Sequence, residues 1–121
     1  MGVLLTLGIR LARTQLDMRQ VTPDNWGVRV RSFSHKSLKQ FYEEGATKRL
    51  PGDAVAKLRS MFAVLDQMSN VAELKVWPLW KVHTLIGSRQ GTWSLQVTRN
   101  WRLTFTIEGD ELLDVNFEDY H

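Results

Sequence analysis

The groups in this chain best suited to chemistry are the guanidinium of Arg102, the imidazoles of His83 and His121, and the phenol of Tyr120. None of the 121 residues is a cysteine, which excludes disulfides, thiolate nucleophiles and Cys-based metal centres and is compatible with a reducing cytoplasm. An arginine with histidine and tyrosine suits cleavage of an RNA phosphodiester by general acid–base catalysis. One group takes the proton of the ribose 2′-hydroxyl, a second protonates the leaving 5′-oxygen, and a cation steadies the charge building on the phosphate. Arginine fits the last task because its planar fork grips two oxygens. Imidazole serves either proton role, its unperturbed pKa being about 6.5. A bland alternative stays open: Arg102 as a strand-surface partner of Asp114 or Glu118, Tyr120 as an edge aromatic, His121 as a polar tail. His35 falls at a helix start, as a surface or capping residue. Three scattered histidines without HExxH-like spacing give no metal site, and no cofactor is expected.

The elements that must carry these groups follow from the apolar periodicity. Trp93, Leu95 and Val97 alternate with polar neighbours, as do Trp101, Leu103, Phe105 and Ile107, and then Leu113, Val115 and Phe117. Period two in three successive runs, separated by Arg99-Asn100 and by Glu108 to Glu111, predicts an antiparallel meander with one apolar and one polar face. Arg102, Thr104 and Thr106 share the polar face, and Asp114 and Asn116 lie on that of the next strand. The segment after Asn116 can therefore reach Arg102. Shorter strands are expected over 27–33 and around Lys81 to Leu85. Ser34 is a cap for a helix carrying Leu38, Phe41 and Tyr42 and stopped by Gly45. A second helix opens at Leu50 to Asp53, with Val55, Leu58, Met61, Phe62, Leu65 and Met68 at three- and four-residue steps. The expected fold is α+β: two N-terminal helices packed on a twisted, mainly antiparallel sheet of four to five strands.

Charge is unevenly laid out. Residues 29–107 carry 13 Lys or Arg against five acids, whereas residues 108–121 carry six acids and no Lys or Arg. A basic body of this kind suits a polyanionic partner as well as plain solvation. The opening apolar run, broken by Arg10 and Arg13, is too short to span a bilayer, and no membrane association is expected.

Three stretches carry a family likeness: RSFSHKSLKQFYEEGATKRLP (Arg31 to Pro51), KVHTLIGSRQGTWSLQVTRNWRLTF (Lys81 to Phe105) and the terminal NFEDYH. From about Val30 onward the chain resembles the HigB-type toxins of the RelE-like superfamily of toxin–antitoxin systems, the plasmid-maintenance killer proteins. The resemblance implies a microbial-ribonuclease-like fold over 30–121 and ribosome-dependent cutting of mRNA in the bacterial cytoplasm. It also implies inhibition by a helix-turn-helix, HigA-type antitoxin and, through that antitoxin, contact with operator DNA. Matched motif by motif, the implied catalytic residues are His83, Arg102, Asp119, Tyr120 and His121, with Asn100 orienting substrate. Lys81, Arg89, Arg99, Lys36, Lys39 and Lys57 are then RNA-binding candidates. Two departures stand out. Where the family reads LHPLKGDR this chain reads VHTLIGSR, so the expected active-site lysine is Ile86; a weakened toxin, acting only as an antitoxin-binding module, is the alternative function. Residues 1–29 are an extension, either an arm or an over-called start.

Overall fold

The computed structural model describes residues 27–119. The expectations placed on residues 1–26, Tyr120 and His121 lie outside the described residues. Strand β1 (Arg29–Val30) leads into helix α1 (Lys36–Glu44), helix α2 (Gly52–Gln67) and the short helix α3 (Val71–Lys75). Strand β2 (His83–Thr84), a 3-10 turn (Gly87–Arg89), β3 (Trp93–Gln96), β4 (Trp101–Glu108) and β5 (Glu111–Asp119) follow. The strands form one sheet in the order β1-β5-β4-β3-β2, antiparallel except for the β1–β5 pair. The α+β expectation holds, with a third helix that the periodicity does not predict.

Each helix has a local cause. The α1 cap is His35, not Ser34: His35 Nδ1 accepts from Leu38 N–H at 3.0 Å, while Ser34 Oγ donates to the Asp114 carbonyl. At the other end Gly45 takes φ 77° and returns its N–H to the Phe41 carbonyl, a left-handed stop that glycine adopts without strain. Asp53 stands in the first turn of α2, where the helix dipole favours an anion. Helix α3 begins at Asn70, whose side chain accepts from Ala72 N–H, with Glu73 reaching back to Ser69 N–H. That pairing resembles a capping box.

The apolar stripes of α1 and α2 pack on one face of the sheet. Leu38, Leu58 and Met61 meet Leu95, Leu103 and Phe105 there, all fully or almost fully buried; each such side chain contributes roughly 1.5–3 kcal/mol. Trp101 stacks on Phe117 at the sheet's end, centroids 4.6 Å apart and 9° between planes, and His35 meets Phe117 edge-on. Gly27 lies where a Cβ would come within 2.9 Å of the Met68 carbonyl, and its φ is 75°. Val28 N–H bonds that same carbonyl, seating the first strand against the end of α2.

Strand β5 departs from the expected alternation. Thr104 pairs with Asn116 but Thr106 with Leu113, so β5 holds one extra residue. Asp114 absorbs it at φ 53°, a backbone state that Asp tolerates better than most residues. Leu112, not Leu113, is therefore buried on the core face, together with Val115 and Phe117. No helix among the described residues is long and apolar enough to cross a membrane.

Candidate active site

Strand register assembles the polar face. His83 pairs with Ser94, Ser94 with Thr104, and Thr104 with Asn116, which makes one row across four strands. The next row holds Gln96, Arg102 and Glu118. Residues paired across strands point to the same side, so all seven share the face opposite the helices. At about 4.8 Å between strands and about 6.7 Å between same-face neighbours, the Cα atoms of His83 and Arg102 stand roughly 12 Å apart. Two long side chains at that separation can contact one phosphodiester.

Glu118 is the centre of the arrangement. The Arg89 fork donates to both of its oxygens, at 2.8 and 2.5 Å, from the 3-10 turn that folds over the sheet. Thr104 Oγ1 donates to Oε2, Asn116 Nδ2 reaches the same oxygen at 3.3 Å, and Arg102 Nη2 lies 3.8 Å from Oε1. The Arg89 hydrogen bonds, reinforced by Thr104 and by the charges of both arginines, outweigh partial burial and hold the Glu118 carboxyl down at about 2. The partnership of Arg102 with Glu118, open from the sequence, is thus present, and Asp114 is not part of it. Between the turn and the sheet lies a polar cleft of about 220 Å³, lined by Arg89, Thr104, Asp114, Asn116 and Glu118 among others.

His83 is exposed at the edge strand, with its Nδ1 2.8 Å from the Lys81 carbonyl. A carbonyl can only accept, so Nδ1 is the donor in this contact and Nε2 is the ring nitrogen left for a substrate. Lys81 has φ 48°, which turns the chain so that its carbonyl meets the ring. Arg99 and Asn100 are exposed in the turn between β3 and β4, and Asn100 N–H bonds Thr98 Oγ1 at 3.4 Å.

Not every candidate gathers here. Asp119 pairs with Trp101, and alternation places it on the helix side, across the sheet from Arg102. Lys36 and Lys39 on α1 and Lys57 on α2 are exposed on the helical layer, also away from the polar face. Ile86 is 89% exposed, on the segment that leads into the 3-10 turn. The residues that the candidate set lacks are Glu118, Thr104 and Asn116. Their signal was parity, since each alternates in phase with Arg102 once strand pairing is drawn.

Comparison with known proteins follows the same stretch of chain. A family model described as the RelE-like toxin of the type II toxin–antitoxin system HigB matches residues 31–121. The endoribonuclease HigB of Proteus vulgaris is 36% identical over 92 residues, 76% of this chain and 99% of that protein. Among solved structures, a YoeB/ParE toxin from Agrobacterium tumefaciens aligns with a TM-score of 0.48 and 19% identity, covering 75% of this chain and 98% of that one. A YoeB dimer from Staphylococcus aureus aligns at 0.47 with 14% identity, covering 78% and 97%.

Proposed function

The chain belongs to the HigB-like family of RelE-like toxins of type II toxin–antitoxin systems, and from that premise we propose that it is an endoribonuclease toxin whose polar sheet face cuts mRNA on the ribosome. The observation that carries the assignment of the site is the placement of Arg102 and His83 in adjacent rows of one sheet face, neither row holding an apolar residue, with Arg89 folded onto that face through Glu118. In this mechanism Arg102 grips the scissile phosphate and steadies its developing charge. His83 accepts the 2′-hydroxyl proton at Nε2, the ring nitrogen that the Lys81 carbonyl does not engage. The attacking 2′-oxygen closes on phosphorus and the bond to the 5′-oxygen breaks. His121 returns a proton to that oxygen, and Tyr120 stacks on or relays to the substrate. Asp119 orients this terminal pair from the far side of the strand, and Asn100 orients the nucleotide.

The exposed cations Lys81 and Arg99 contact ribosomal RNA around the site, and Lys36, Lys39 and Lys57 contact it from the helical layer, which makes binding steeply salt-dependent. The partner of a type II toxin is an antitoxin; here it is of the HigA type, with a helix-turn-helix domain that carries the pair to operator DNA in the bacterial cytoplasm. Of the 1–29 stretch read as an extension, Val28 and Arg29 already belong to the domain, through the buried Val28 and strand β1, so the extension is the chain before them.

The test is to induce the protein in bacteria without its antitoxin and to map new mRNA 5′ ends, beside Arg102→Ala and a chain lacking Tyr120 and His121. Growth arrest with cuts in translated messages, lost in both variants, is the expected result. A soluble, abundant wild-type protein that neither arrests growth nor cuts would leave the antitoxin-binding module as the function.

A further inference from the structure

The site just proposed has a feature that its acid–base chemistry does not use: a carboxylate, 17% exposed, set between its two arginines. A carboxylate offers about four lone-pair positions. Glu118 meets two hydrogen bonds from Arg89, one from Thr104 and one from Asn116, with Arg102 beside it. Oε2 takes three of these bonds, from the 3-10 turn, β4 and β5, and Oε1 takes the fourth with the Arg102 charge beside it. A proton acceptor needs a basicity near the working pH, and these donors and cations hold the Glu118 carboxyl well below it.

What the carboxylate does hold is the loop. Arg89 comes from a turn of three residues, and its bidentate contact with Glu118 ties that turn to the sheet. The same carboxylate lies 3.8 Å from Arg102 Nη2. One anion therefore sets the separation of two guanidinium groups that would otherwise repel, and it fixes the plane of one of them. Each guanidinium has five donor hydrogens, so an Arg89 that gives two to Glu118 keeps three for an incoming anion.

We infer that Glu118 is a positioning residue that docks Arg89 beside Arg102, making a two-arginine clamp on the substrate phosphate, with Arg89 as the second cation on this face. This rests on the assignment of the polar face as the cutting site. Arg89 then supplies the positive charge that the side chain of Ile86 does not.

The assay is single-turnover cleavage of a defined mRNA on programmed ribosomes by purified full-length protein. Wild type is compared with Glu118→Gln, Arg89→Lys, Arg89→Ala and the Gln/Ala double variant. Glu111→Gln serves as control, because Glu111 holds Arg29 and Arg31 at the other end of the same strand, away from the site. Glu118→Gln and Arg89→Ala should each slow cutting by about 10- to 100-fold, reaching the lower end of what losing one charge-stabilising donor costs, with ribosome affinity within about threefold. Arg89→Lys keeps the charge but loses the fork, and should fall between wild type and Arg89→Ala. The double variant should be no more than about threefold slower than Arg89→Ala, because both changes remove one function, and Glu111→Gln should cut like wild type. A purely structural role predicts instead multiplicative losses and a slow Glu111→Gln. Either of those results, or a Glu118→Gln protein that cuts as fast as wild type or faster, overturns the clamp. A wild-type protein that fails to cut at all would overturn the assignment of the site itself.

Discussion

Replacing the Glu118 carboxylate by an amide should cost stability at neutral pH and cost much less in acid. The carboxyl sits at about 2 against an ordinary 4.5, chiefly because Arg89 donates two hydrogen bonds to it; burial opposes this, and Thr104 and the charges of Arg89 and Arg102 add to it. A carboxyl held below its unfolded value stabilises the fold fully above about pH 4.5. That contribution drains away as the pH falls toward 2. At about 1.36 kcal/mol per pH unit, a fall from 4.5 to about 2 corresponds to roughly 3 kcal/mol. The Arg89 side chain is 43% exposed, however, and solvent screening of such a pair leaves roughly 1–2 kcal/mol. In a domain of this size that is about 4–10 °C in Tm. Thermal melts of wild type and Glu118→Gln followed by circular dichroism at pH 7 and pH 3 give the comparison, since glutamine keeps the shape and loses the charge. Wild type should melt higher at pH 7 by that amount, and at pH 3 the gap should shrink to half or less. An equal gap at both pH values would refute the electrostatic account. No gap at pH 7 would mean that the bridge contributes nothing in solution.

Other substitutions probe the elements behind the site. Phe105→Ala empties a core position of β4 that is 2% exposed and should lower the unfolding free energy by about 3–5 kcal/mol, read from the urea midpoint. His35→Ala removes the acceptor for Leu38 N–H, a cap worth about 1 kcal/mol, and should lower Tm by a few degrees. Ile86→Lys places a cation at a position that is 89% exposed. It should change stability by less than about 0.5 kcal/mol while raising the cutting rate at least about 10-fold, the reverse of losing one charge-stabilising group. An unchanged rate would show that the position does not face the phosphate.

The meander was legible because apolar and polar residues alternate without interruption through β3 and β4, and that alone put Arg102, Thr104 and Thr106 on one face. Strand β5 was half legible. Its slip in phase leaves a trace, the doubled Leu112-Leu113 that strict alternation forbids, but alternation over Leu113, Val115 and Phe117 fits the sequence equally well and hides it. Only pairing with β4 shows which leucine turns inward. Ser34 and His35 compete for one cap, and what decides between them is a tertiary contact, the Asp114 carbonyl that takes Ser34 Oγ. Helix α3 was missed although Asn70 and Glu73 stand at the spacing of a capping pair, because a helix of five residues is too short to show a period. Glu118 was read only as one possible partner of Arg102. Its tie to Arg89 spans 29 residues and depends on how a loop folds back, which no local pattern encodes.

The extra residue in β5 also makes the strand intolerant of length change. The Gly109-Asp110 turn before it is tied in as well, since Asp110 accepts from Val71 N–H through its side chain and from Arg29 N–H through its carbonyl. A residue removed at Asp114 rotates one half of the strand by a side-chain step relative to the other. Either Leu112 leaves the core, or Phe117 turns to water while Glu118 turns toward the helices. Counting from the parallel partner strand to the carboxylate that holds both arginines, the chain thus behaves as a ruler with a fixed number of divisions. Among sequences built on this plan, insertions and deletions should stay clear of the stretch from Asp110 to Glu118.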